Sequence, residues 1–80
     1  MSVAEFELTR LPMGRLAEVI GIKAEGLIRN RLLDLGLVPQ AMVQAIRRSP
    51  AGDPVAYKIR GAIIALRSEE SRQITVRLID

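Results

Sequence analysis

The chain has no cysteine and no histidine. Without thiols there is no disulfide framework and no thiolate metal site, which fits a reducing compartment. Without imidazole as well, a tight transition-metal site within one chain is disfavoured. The side chain best suited to proton transfer near neutral pH is also missing. No Ser–His, Cys–His or paired-His arrangement can form, so the sequence offers no support for an enzyme. Aromatic residues are reduced to Phe6 and Tyr57. Single-stranded nucleic acid is usually held on aromatic platforms, and two rings supply few. No apolar run approaches the roughly 20 residues of a membrane-spanning helix. The opening segment, MSVAEFELTRLPMG, carries acids early and lacks an apolar signal core, so the expected location is the cytoplasm. No Gly-rich phosphate loop of the type G-x-x-x-x-G-K-S/T is present.

What is present suits one small domain spanning 1–80. An 80-residue chain buries roughly 60–65 % of its unfolded surface, and a hydrophobic share of 49 % can fill that core. Residues 1–13 read as a leader that packs, with Phe6, Leu8 and Leu11 apolar. Residues 16–22 (LAEVIGI) read as a strand in which Gly21 marks a bulge or a close backbone approach. Residues 25–35 read as a short helix with Ile28, Leu32 and Leu35 on one face. Gly36 then ends it in the left-handed region, Leu37 folds back on the last turn, and Pro39 prevents resumption. Strands follow at 42–48 and at 55–60, where Val55, Tyr57 and Ile59 alternate with Ala56, Lys58 and Arg60. The SPAGDP loop separates these two strands. A tight turn at 60–62 leads into IIALR, read as a largely buried strand. Ser68 is placed to cap one helical turn, with Glu69 and Glu70 at its positive end. The last strand is QITVRLI, with Ile74, Val76 and Leu78 inward. The fold class expected is mainly β: a small SH3-like barrel of about five strands, with one inserted helix and a one-turn helix before the last strand. Closure into a barrel would remove exposed strand edges.

Three stretches in order, RLLDLGLVP, SPAGDP and IRGAIIALRSEE, carry a further signal. Together with LPMGRLAEVIGI they resemble the ferrous iron transport protein A (FeoA) family over nearly the whole chain, from Leu8 to Val76. The resemblance implies a cytoplasmic SH3-like protein of bacterial ferrous iron uptake. Such a protein has no enzymatic activity and no cofactor, and reaches the membrane only through its partner. That partner is the transporter FeoB, which carries a GTP-binding cytoplasmic part. Two positions depart from the family's habit. Gln40 stands where Gly is usual, so the turn there must strain or change. Ser71 stands where Ala is common.

A net charge of +3 comes from twelve basic and nine acidic residues, with no basic run longer than two. Arg47, Arg48, Lys58 and Arg60 flank the SPAGDP loop, and a hairpin would gather them on one side and end. With Arg31 on the helix and Leu37 at its rim, they form the expected partner-binding set. Glu69 and Glu70 read as helix-turn acids, and an adjacent pair supplies too few ligands for a dedicated metal site. The competing reading is a small basic nucleic-acid-binding barrel or a repressor-type interaction module. No nucleic acid is expected, because acids are interspersed and aromatics scarce. Weak self-association is left open.

Overall fold

In the computed structural model, which describes residues 4–79, the alternation at residues 55–59 is a strand whose Val55, Tyr57 and Ile59 are buried. Among the described residues nine elements follow in order. They are β1 (Glu5–Glu7), a 3-10 turn (Leu8–Arg10), β2 (Leu16–Ile22), α1 (Gly26–Asp34), β3 (Met42–Arg48), β4 (Val55–Ile59), β5 (Ala62–Leu66), α2 (Ser68–Ser71) and β6 (Ile74–Ile79). The strands form one antiparallel sheet in the order β1-β6-β2-β3-β4-β5.

Six strands replace the five expected. The leader contributes the extra one, where Phe6 pairs with Val76 across β1 and β6; its first three residues lie outside the described set. Among the described residues the sheet does not close by pairing, since β1 and β5 end the strand order. Its inner face is instead sealed by side chains from outside the strands. Leu8 and Leu11 come from the 3-10 turn and the segment after it, and Leu32 and Leu37 from α1 and its exit. All four join Val19, Val43, Tyr57, Ile59, Leu66, Ile74 and Val76 in one core.

The bulge read at Gly21 is present, as a register shift between Val19 and Gly21 in the β2–β6 pair. The end of α1 is a Schellman motif. Leu37 N–H donates to Leu32 C=O at 3.1 Å, and Gly36 N–H donates to Leu33 C=O at 2.9 Å. Gly36 has φ of 103° and lies against Arg60 and Ile59, so it serves both the turn and the close packing.

Three local readings are corrected. Ile28 is exposed rather than on the buried face of α1, because the helix reaches the core mainly through Leu32. β5 is mostly exposed rather than buried: among the described residues it has a strand neighbour on one side alone, β4. Ser68 is not the cap of α2. It is the first helical residue, and its N–H donates to the Asp53 carboxylate at 2.8 Å, while Glu70 accepts the Arg67 N–H at 3.0 Å.

Candidate docking face

The pairing registers place Ile79, Leu16, Gln44, Lys58 and Ile63 in one row across the outer face of β6-β2-β3-β4-β5. Side chains of one row share one face of a pleated sheet. Leu16 and Ile63 are 38 % and 58 % exposed, so apolar surface reaches solvent at both sides of the polar Gln44 and Lys58. Met42 adds to this patch at 46 % exposure. Gln44 is held in place by donating through Nε2 to Gly14 C=O at 3.2 Å. A shallow depression of about 260 Å³ opens among Leu16, Met42, Gln44, Lys58, Arg60 and Gly61.

A larger trough of about 470 Å³ lies farther along the same strands, toward the 49–54 loop. Its floor is Ala56 of β4 and Ala65 of β5, which face each other across the ladder. Two short side chains leave the space; Pro50, Pro54, Arg47 and Arg48 bound it. A second register shift, between Ala45 and Arg47, makes Ile46 the additional residue of β3. This bulge turns the end of β3 so that Ile46, Arg47 and Arg48 are all exposed. Arg48 Nη1 reaches Gly52 C=O at 3.4 Å and so lies along the loop.

The electrostatics divide the sheet. At the β1 side, Glu7 pairs with Lys23 at 3.2 Å and Glu18 with Arg77, so charges there cancel locally. Between Ala41 and Ser68 the chain carries five cations, Arg47, Arg48, Lys58, Arg60 and Arg67, against the single acid Asp53. The β3–β5 half of the face is therefore basic. Among the described residues, no three of His, Cys, Asp and Glu converge on one point, and no helix is long and apolar enough to cross a membrane.

Four of the six expected docking residues come together here: Arg47 and Arg48 at the trough, Lys58 and Arg60 at the smaller depression. Arg31 sits elsewhere, exposed on α1 and paired with Glu70 of α2, so it ties two helices together. Leu37 must be withdrawn from the rim. It is fully buried, because the Schellman turn folds it into the core. The sequence reading missed Leu16, Met42, Ile46 and Ile63, and also the alanine floor. A weak signal existed for Ile46, where AIRR breaks the alternation of β3.

Comparison with known proteins bears directly on this fold. The FeoA domain matches residues 6–78. A Fe(2+) transport protein A/Fe(2+) transporter FeoB fusion protein of Porphyromonas gingivalis is 32 % identical over 72 residues; these cover 90 % of this chain but 8 % of that protein. The solution structure of FeoA from Chlorobium tepidum is 37 % identical and superposes with a TM-score of 0.87 over 94 % of this chain and 71 % of that one. The crystal structure of FeoA from Stenotrophomonas maltophilia, a zinc complex described as a prokaryotic SH3 domain protein, is 28 % identical, with a TM-score of 0.79 over 89 % of this chain and 88 % of that one. The open six-stranded sheet is thus SH3-like without being a hydrogen-bonded closed barrel. With nearly its whole length matched in sequence and in backbone, this chain belongs to the FeoA family, whose members serve Fe(2+) transport.

Proposed function

We propose that this protein is a cytoplasmic accessory protein of ferrous iron uptake, which binds the membrane transporter FeoB and regulates or assembles its GTP-binding part. The basic, partly apolar half of the outer sheet face is the docking surface, and iron is the transporter's cargo. The observation that carries this reading is the Porphyromonas gingivalis relative, in which the two proteins share one polypeptide. Fusion raises the effective concentration of two modules to roughly millimolar and leaves their contacts unchanged. A weak, reversible interface is what such a tether would most help. The face described above suits a contact of that kind. It is rimmed by Arg47, Arg48, Lys58 and Arg60, which raise the encounter rate with an acidic partner. Its apolar centre at Leu16, Met42 and Ile63 supplies area to desolvate. A domain this small can offer about 800 Å² to a partner, a standard-sized interface. Regulation then requires only that two states of the transporter differ in affinity by about 1–3 kcal/mol, or 5- to 150-fold.

The test is co-purification of the tagged chain with the transporter from detergent-solubilised membranes, paired with uptake of labelled Fe²⁺ in a strain lacking this chain. Loss of uptake under iron limitation, restored by the wild-type chain but not by Arg47→Glu/Arg48→Glu, is the expected result. Normal uptake in the deletion strain, together with no recovery of the transporter on the tagged chain, removes the proposal.

A further inference from the structure

We infer that the free edge of β5 accepts an extended segment of another protein as an added strand, and that this segment is apolar in the middle and acidic at both ends. The inference rests on the reading of this face as the docking surface and specifies the chemistry of what docks. It starts from the two ends of the sheet, which are built differently. The β1 edge is three residues long with glutamates at both ends, Glu5 and Glu7. Short, charged edges resist pairing with other chains. The β5 edge, Ala62-Ile63-Ile64-Ala65-Leu66, has no charge, no proline, no glycine and no register shift against β4. It carries none of those defences although Ala62, Ile63 and Ala65 are exposed.

The geometry of the hairpin says which backbone groups are on offer. β4 and β5 are joined by the two residues Arg60 and Gly61, with φ of 52° and 84°. Two positive φ values define a type I′ turn, in which the flanking Ile59 and Ala62 form a hydrogen-bonded pair. Hydrogen-bonded and non-hydrogen-bonded pairs alternate along an antiparallel ladder. Ile63 and Ala65 oppose Lys58 and Ala56 at the non-bonded positions. Their N–H and C=O groups therefore point away from β4, toward the open edge.

Charge selects the occupant. Arg60 precedes β5 and Arg67 follows it, both exposed; Arg67 Nη1 stands at the long distance of 4.0 Å from the Asp53 carboxylate, which leaves its guanidinium largely open to a second acid. A second copy paired antiparallel would set Arg60 of one chain beside the partner's Arg67 at both ends of the pair. A parallel arrangement would set like residue against like. Either repels, so self-pairing is opposed by the same residues that attract a foreign strand with terminal carboxylates. An outward-facing side chain of that strand, next to Ala65, stands beside the alanine-floored trough, which has room for a large group.

The test uses the full-length ¹⁵N-labelled chain and two short blocked peptides of alternating valine and threonine, one ending in glutamate pairs and the other in lysine pairs. With the glutamate peptide, the amides of Ile63 and Ala65 shift saturably and their hydrogen exchange slows; the lysine peptide binds at least about tenfold more weakly. Ala65→Pro removes an edge N–H without touching the β4 ladder and abolishes binding. Ile63→Thr keeps the N–H and retains binding, so a folded, binding-competent edge variant accompanies the blocked one. No shift with either peptide at millimolar concentration overturns the proposal, as does equal binding of both. Concentration-dependent protection of the same amides in the protein alone, with a sedimenting dimer, overturns it in favour of a second copy. If FeoB binds the Ala65→Pro variant as well as wild type, the edge proposal falls and the transporter reading stands. If the glutamate peptide binds but FeoB does not, the reverse holds.

Discussion

Gln40 and Gly36 are close in sequence and both have positive φ, 77° and 103°, yet they predict opposite responses to substitution. Gln40 is exposed and donates its N–H to Val19 C=O at 2.8 Å, so the turn holds it in a left-handed conformation that a side chain makes costly. This resolves the question raised by the sequence: the backbone keeps the conformation usual for glycine, and the glutamine bears the strain. Gln40→Gly is expected to stabilise by about 0.5–1 kcal/mol, the native relief exceeding the added freedom of the unfolded chain. At Gly36 a Cβ would also meet Arg60 Cδ at 3.1 Å and Ile59 Cγ2 at 3.2 Å. The arginine can give way, but the isoleucine is buried. Gly36→Ala is expected to destabilise by about 1–3 kcal/mol. Urea midpoints at unchanged slope decide both. Gly36 was legible in the sequence because helix ends announce themselves. Arg60 in its I′ turn was not, because arginine has no preference for that conformation.

At the scale of elements, the one-turn helix α2 is held from three sides. Asp53 and Glu70 bond its first N–H groups, Arg31 of α1 pairs with Glu70, and the buried Ser71 donates through Oγ to Arg67 C=O at 3.3 Å and Ser68 C=O at 3.4 Å. A single turn has little intrinsic stability, so these ties determine whether it forms. Burial pushes the Tyr57 hydroxyl above its usual 10.0; the influence of the Ser71 hydroxyl and the charge of Arg48 oppose that rise. The folded state therefore holds this proton more tightly than the unfolded chain. The corresponding stability is complete below pH about 10 and is lost as pH climbs from there through the folded-state value. Tyr57→Phe should flatten the stability profile above pH about 10, measured by urea unfolding at stepped pH; an unchanged alkaline slope would refute it. Ser71→Ala should lower the urea midpoint by an amount worth about 1 kcal/mol, since its hydroxyl donates to Arg67 C=O and Ser68 C=O. The elements themselves were largely readable: five strands and both helices lie within a residue or two of their expected bounds. β1 was not readable, because three residues hold little more than one alternation, too little to stand out from chance. The capping of α2 by Asp53 depends on a contact between residues 15 apart in sequence, which local pattern cannot reveal.

For the whole molecule, the sequence showed where the cations lie but not which apolar residues share their face. In LAEVIGI and AIIAL both alternating sets are largely apolar, so periodicity cannot say which set turns inward; only the register across five strands places Leu16 and Ile63 outside. The resulting charge division, balanced at β1–β2 and basic at β3–β5, acts at a distance that individual contacts do not. At 0.1 M salt charges act on one another over roughly 10 Å, so neighbouring cations on the proposed docking face would reinforce one another and orient the molecule before contact. The expected consequence is kinetic. Association with the solubilised transporter should slow as salt rises, with dissociation changing less. Reversal at Arg47, Arg48 and Lys58 should lower the association rate at low salt by about tenfold or more and remove most of the salt dependence. Reversal at Arg10, Arg29 and Arg72, away from this face, changes the net charge by the same amount. If the two triple variants slow equally, net charge alone is at work and the face has no steering role. If only the first slows, while both unfold at wild-type urea concentrations, the position of the charges is what the partner reads.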